Sequence, residues 1–133
     1  MPGRCKGWQL GGLSLICCLL ALPAWAQADP ERGRSIVTDR QRGSCLLCHS
    51  GPYEEEKFQG DLAPALPALV QGKSAEDLRQ RLVDPSRFNP DTIMPRYGVL
   101  GPGSRVHRLF KDKVLLSPQE IDDVVAHLQT LKP

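Results

Sequence analysis

The segment Cys45-Leu46-Leu47-Cys48-His49 constrains this chain more than any other. Two thiols three positions apart stand about one helical turn from each other, the separation needed to add across the two vinyl groups of one haem. A histidine directly after the second can then bring its imidazole to the iron. Two other chemistries use paired cysteines. A structural zinc site needs two further ligands, but the remaining histidines, His107 and His127, stand 20 positions apart rather than three to five. A thioredoxin-type dithiol calls for a βαβ setting, and no run of alternating apolar and polar residues is long enough here for a paired strand. Covalent haem is the reading this motif favours, with Cys45 and Cys48 as attachment points and His49 as one axial ligand.

The N-terminus supplies the compartment. Arg4 and Lys6 precede an apolar run from Leu10 to Leu22, and Ala24-Trp25-Ala26 and Ala26-Gln27-Ala28 both offer the small-x-small pattern of signal-peptidase cleavage. Residues 1–28 read as a secretory signal, leaving 133 − 28 = 105 residues, 29–133, as one mature domain exported to the periplasm. Lipoprotein processing wants a small residue before the cysteine, and Ile16 precedes Cys17. No later segment approaches the roughly 20 apolar residues of a membrane span. The signal takes two basic residues and no acidic ones, so the formal charge falls from +2 to 15 − 15 = 0, which removes the electrostatic basis for nucleic-acid binding. It also takes Cys5, Cys17 and Cys18, so Cys45 and Cys48 are the only mature thiols. With 5% aromatic residues, 12 Gly and 12 Pro, the chain has little with which to build an apolar core, and a large planar group such as haem would fill it.

Local signals predict an all-α chain with long ordered loops. Asp29-Pro30-Glu31 starts a first helix, carrying Gly33, Ile36 and Val37 on one face and closing near Arg42-Gly43. Residues 50–73, punctuated by Gly and Pro, read as a fixed irregular loop in which Glu54-Glu55-Glu56 is a solvated face. Ser74 to Asp84 reads as a second helix stopped by Pro85, with Arg79 and Arg81 facing outward. Ser117-Pro118-Gln119-Glu120 is a capping box opening a last helix, whose stripe of Ile121, Val124, Val125, Leu128 and Leu131 can bury against the first.

The second axial position decides between electron transfer and catalysis. Met94 is the one methionine of the mature chain, and Pro90 and Pro95 stiffen the loop that presents it, which favours a ligand over a core filler. Its rivals are His107, which lies in a basic stretch and reads as a surface residue, and His127, which reads as partly buried and structural. A haem closed by His49 and Met94 is six-coordinate and suited to carrying single electrons. The ring N–H of His49 wants a backbone carbonyl, and the rigid stretch around Pro64 is the natural supplier.

In order along the chain, Gly33 and Val37, the CxxCH at 45–49, Pro64 with Leu66, Met94-Pro95 and the last helix around Leu128 resemble class I cytochromes c. Within that family three stretches resemble the SoxX subunit of SoxAX thiosulfate-oxidising complexes: Gly43 through His49, Asn89 through Gly98, and Arg105 through Ser117 running into Ile121–Leu131. The resemblance implies an all-α class I cytochrome c fold, with helices and long loops around one covalently bound haem c. It also implies a periplasmic heterodimer with a SoxA-like cytochrome that bears the sulfur-handling haem. There thiosulfate is joined to a cysteine of a SoxYZ-like carrier, an L-cysteine S-thiosulfotransferase reaction, and electrons leave to a small soluble cytochrome. This chain would then be the electron-transfer subunit with no catalytic residue, which agrees with both its thiols being consumed as thioethers. The alternatives are a free-standing monohaem carrier and a metal or redox-switch module without haem.

Two positions depart from the family pattern. His127 stands where an aromatic residue usually packs against the first-helix glycine, and Ala63 precedes Pro64 where glycine is common. Residues 79–113 hold eight basic and three acidic side chains, against six and nine in 29–78, an asymmetry able to orient a partner.

Overall fold

The computed structural model describes residues 27–100, 107, 108 and 111–131. The expected export signal lies outside the described residues except for Gln27 and Ala28, as does most of the segment around Arg105. Helix α1 covers Pro30–Thr38, and the Asp29 side chain accepts from the amides of Glu31 and Arg32, which would otherwise lack partners at a helix start. It ends earlier than its expected close at Arg42-Gly43. Asp39 leaves the helix in an extended conformation, its side chain accepts from the Gln41 amide at 2.7 Å, and its carbonyl accepts from Ser44 N–H at 3.0 Å. Aspartate here offers the backbone a turn that competes with helix, and the turn wins.

A 3-10 turn over Cys45–Leu47 follows, then a loop, then the short helix α2, Leu66–Val70. Helix α2 corrects the expectation of irregular chain throughout 50–73. Pro67 near its start fits a first helical turn, and Leu66 and Val70, four positions apart, are its buried face. Helix α3, Ala75–Val83, has a full capping box between Ser74 and Asp77 and buries Leu78 and Leu82. A 3-10 turn at Pro85–Arg87 ends it. Helix α4, Pro118–Thr130, has the second capping box, between Ser117 and Glu120. Among the described residues there is no strand, and no helix is long and apolar enough to cross a membrane.

Helices α1 and α4 cross at Gly33, where a side chain would run into the backbone of Asp123 and the Cβ of His127. That close approach lets Ile36 and Val37 meet Val124 and Leu128 in one apolar core, to which α3 adds Leu78 and Leu82. Asp123, 1% exposed, pins the start of α1 to α4 by accepting from Asp29 N–H at 2.8 Å and from Arg32 Nε and Nη2 at 2.8 and 2.9 Å. The acidic run is not simply solvated, since Glu55 pairs with Arg34 and Glu56 with Arg40.

Candidate functional site

The turn carrying the two thiols is held from several sides. Ser44 adopts a left-handed conformation at φ 53°, uncommon for a residue with a side chain. Its amide bonds to Asp39 O and its hydroxyl donates to Arg40 O at 2.7 Å, which fixes that conformation. The amides of Cys48 and His49 both reach the Cys45 carbonyl, at 3.2 and 3.0 Å, so the cysteines and the histidine leave a single tight turn. The loop that follows lies back along it: Gly60 N–H donates to Leu46 O at 2.8 Å, Ala63 N–H to Cys48 O at 2.9 Å and Leu66 N–H to Ser50 O at 2.8 Å.

That pairing brings Pro64 to His49. The Nδ1 of His49 donates to the Pro64 carbonyl at 2.7 Å, which fixes the tautomer and leaves the Nε2 lone pair for a metal. Both cysteines are free and partly buried. Burial pushes the Cys45 thiol up to about 11, so it stays a neutral thiol at pH 7 rather than the activated thiolate of a thioredoxin-type site. Among the described residues no three His, Cys, Asp or Glu side chains cluster to hold a metal ion.

Met94 sits partly buried against the apolar core, its amide held by Thr92 Oγ1 at 3.2 Å. Immediately beyond it, Tyr97 and Gly98 donate to the carbonyls of Leu82 and Val83 at the end of α3, which anchors the loop to the helical frame. Of the two rival histidines, His107 is exposed, whereas His127 is 6% exposed on α4 with its Nε2 2.8 Å from the Tyr53 hydroxyl. Burial, and next the nearby Arg34 charge, push the His127 imidazole down and keep it neutral. His127 is thus committed to packing α4 on the loop after the haem-type motif.

Arg81 does not face outward as the sequence suggested. Its guanidinium lies over the Phe88 ring at 4.2 Å, and its Nε is buried with no hydrogen-bond partner. A buried unpaired guanidinium N–H costs free energy unless an anion meets it. A carboxylate such as a haem propionate would supply one. The thiol pair, the oriented imidazole, the partly buried thioether and this orphaned donor together fit a covalently attached haem. Spacing hinted at Arg81, three positions after Leu78 and beside Leu82, on the shoulder of the buried face. Tyr53 and Tyr97, both buried and both bonded across the fold, left no spacing signal at all.

No model of a protein family matches the chain, and no curated protein sequence does either. Among solved structures, the crystal structure of SoxXA from P. pantotrophus is similar over 82% of this chain and 85% of that chain, at 29% sequence identity and a TM-score of 0.71. The helical elements, the two loops that carry His49 and Met94 and this extent of similarity support a SoxX-like assignment, and the fold is all-α, of the class I cytochrome c type.

Proposed function

We propose that the mature chain, residues 29–133, carries one haem c and serves as the electron-transfer subunit of a periplasmic, thiosulfate-oxidising SoxAX-type complex. The observation that carries this reading is the single turn presenting Cys45, Cys48 and a His49 whose Nδ1 is already occupied by the Pro64 carbonyl. The similarity to SoxXA supplies the context.

In this reading Cys45 and Cys48 would hold the haem covalently, and His49 Nε2 and the Met94 sulfur would be the groups that ligate its iron. The bound haem supplies one-electron redox chemistry at its iron. The protein's own contribution is to fix the imidazole through Pro64, to present the thioether from a loop stiffened by Pro90 and Pro95, and to offer Arg81 to an anionic edge. Held by both His49 and Met94, the iron would be suited to carrying single electrons rather than binding a substrate. With both thiols consumed there is none left to carry sulfur. The sulfur chemistry then belongs to a SoxA-like partner and to a SoxYZ-like carrier, and this chain accepts the electrons released and passes them to a small soluble cytochrome.

The test is affinity capture of the tagged chain from a periplasm grown on thiosulfate, with a pyridine haemochrome spectrum and iron analysis of what is eluted. The expected result is one c-type haem on this chain and a larger cytochrome eluting with it. Capture of the haem protein alone would favour a free-standing carrier. A colourless product with intact thiols would leave a module without haem.

A further inference from the structure

Three residues after Met94, the Tyr97 side chain crosses the core and its hydroxyl donates to the Gly43 carbonyl at 2.6 Å, a buried bond between groups 54 positions apart. Tyr97 is 4% exposed, and its backbone is held at both ends, its amide by Leu82 O and its carbonyl by the Leu116 amide, each at 3.0 Å. Gly43 is the residue that leads into Ser44 and the turn at Cys45. A side chain at Gly43 would strike the Ile36 carbonyl, so this stretch of backbone has little freedom to move away. The Cys45 sulfur also lies 3.6 Å from the Gly43 oxygen, and its S–H is a second, weak donor there. A thioether carries no S–H, so once Cys45 is alkylated the phenol is the donor of the pair that this carbonyl keeps.

We propose that the Tyr97 hydroxyl is the tie that keeps the Met94 segment closed against the Cys45–His49 turn, which makes Tyr97 a positioning residue for the sulfur ligand. Only Pro95 and Arg96 separate it from Met94, and both are restrained: proline fixes its own φ, and Arg96 Nε pairs with Asp84 at 3.2 Å. Slack in the link is small, so the position of the phenol is passed to the thioether. The inference rests on the proposed axial role of Met94, and the experiment separates the two.

The test uses the ferric, haem-loaded protein titrated with imidazole, which competes with the methionine for the iron, and follows the long-wavelength sulfur-to-iron absorption band. Y97F keeps the ring and removes the hydroxyl. It should bind imidazole about tenfold more tightly than the wild type, a change of about 1.4 kcal/mol and the scale of one buried hydrogen bond. Y53F removes the other buried phenol, whose hydroxyl bonds to His127 on α4 rather than to the turn before Cys45, and should stay within about twofold of the wild type. An unchanged Y97F affinity, or an equal shift in Y53F, would overturn the tie. Should Y97F not load haem, hydrogen exchange on the wild type reads the same coupling. Saturating imidazole should lower protection of the Tyr97 and Gly98 amides about tenfold while leaving α4 unchanged, and unaltered protection at those two amides overturns the proposal. Absence of the sulfur band in the wild type overturns the axial role of Met94, and this inference with it.

Discussion

Asp123 and His127 are two polar residues, one helical turn apart on α4, that the fold buries where α1 crosses α4 at Gly33. Burial raises the Asp123 carboxyl, but the hydrogen bond from Arg32, with the Asp29 amide and Gln119 behind it, outweighs burial and leaves the group lowered overall. A folded pKa below the unfolded one gives stability that is present above the unfolded value of about 3.9 and is lost as pH falls through the folded one. We expect D123A to lower the urea midpoint at pH 7 by more than D122A, whose carboxylate is 44% exposed and pairs with Arg79, and the gap between them to narrow in acid. His127 works in a different window. Its imidazole is pushed down by burial, so its neutral form is favoured by folding, and the stability it confers is complete above about pH 6.5 and erodes below it. Urea midpoints measured between about pH 7.5 and 5 should fall in the wild type and fall less in H127F, which restores an aromatic ring but takes no proton.

At the level of elements, the helices read most accurately from sequence were those that carry their own start signals. Both capping boxes are formed in full, and Ser117 accepts from the Glu120 amide while Glu120 accepts from the Ser117 amide at 2.8 Å. Replacing Ser117 by Ala should cost about 1 kcal/mol in chemical denaturation, the usual worth of an N-cap. Helix α2 was missed because Pro67 and the flanking glycines resemble loop punctuation, while a five-residue helix is too short to show a repeat. Helix α1 was extended too far because Gly43 is a good helix terminator and Asp39 a less obvious one. Gly43 serves instead at a close approach to the Ile36 carbonyl. In each case the competing signal was local, but its outcome depended on what packed above it.

Across the whole molecule, the helices provide one small core, and large apolar side chains remain outside it. Phe58, Leu62 and Ile93 are 81%, 68% and 76% exposed. A chain this poor in aromatics, with several of its larger apolar groups facing outward, buries little surface for its length. Haem-free protein made as C45S/C48S should show little cooperative thermal unfolding by circular dichroism. A sharp transition near that of the haem-loaded protein would show that the polypeptide alone is enough. The charge asymmetry between 29–78 and 79–113 is partly neutralised within the fold, since Arg79 pairs with Asp122 on α4, outside both segments. We therefore expect electron exchange with a partner to slow only modestly with ionic strength, as stopped-flow reduction would measure.

The sequence alone determined most of what is settled within a few residues: the two thiols and imidazole on one turn, the starts of α1, α3 and α4, the proline-bounded methionine loop. These depend on spacing and on hydrogen bonds between near neighbours, which residue types encode directly. Only the tertiary structure decided that Tyr97 reaches Gly43, Tyr53 reaches His127 and Arg32 reaches Asp123, across 54, 74 and 91 positions. Those contacts depend on how closely α1 and α4 cross at Gly33 and on where each loop is anchored. Both are consequences of packing, which leaves no periodic trace in the chain.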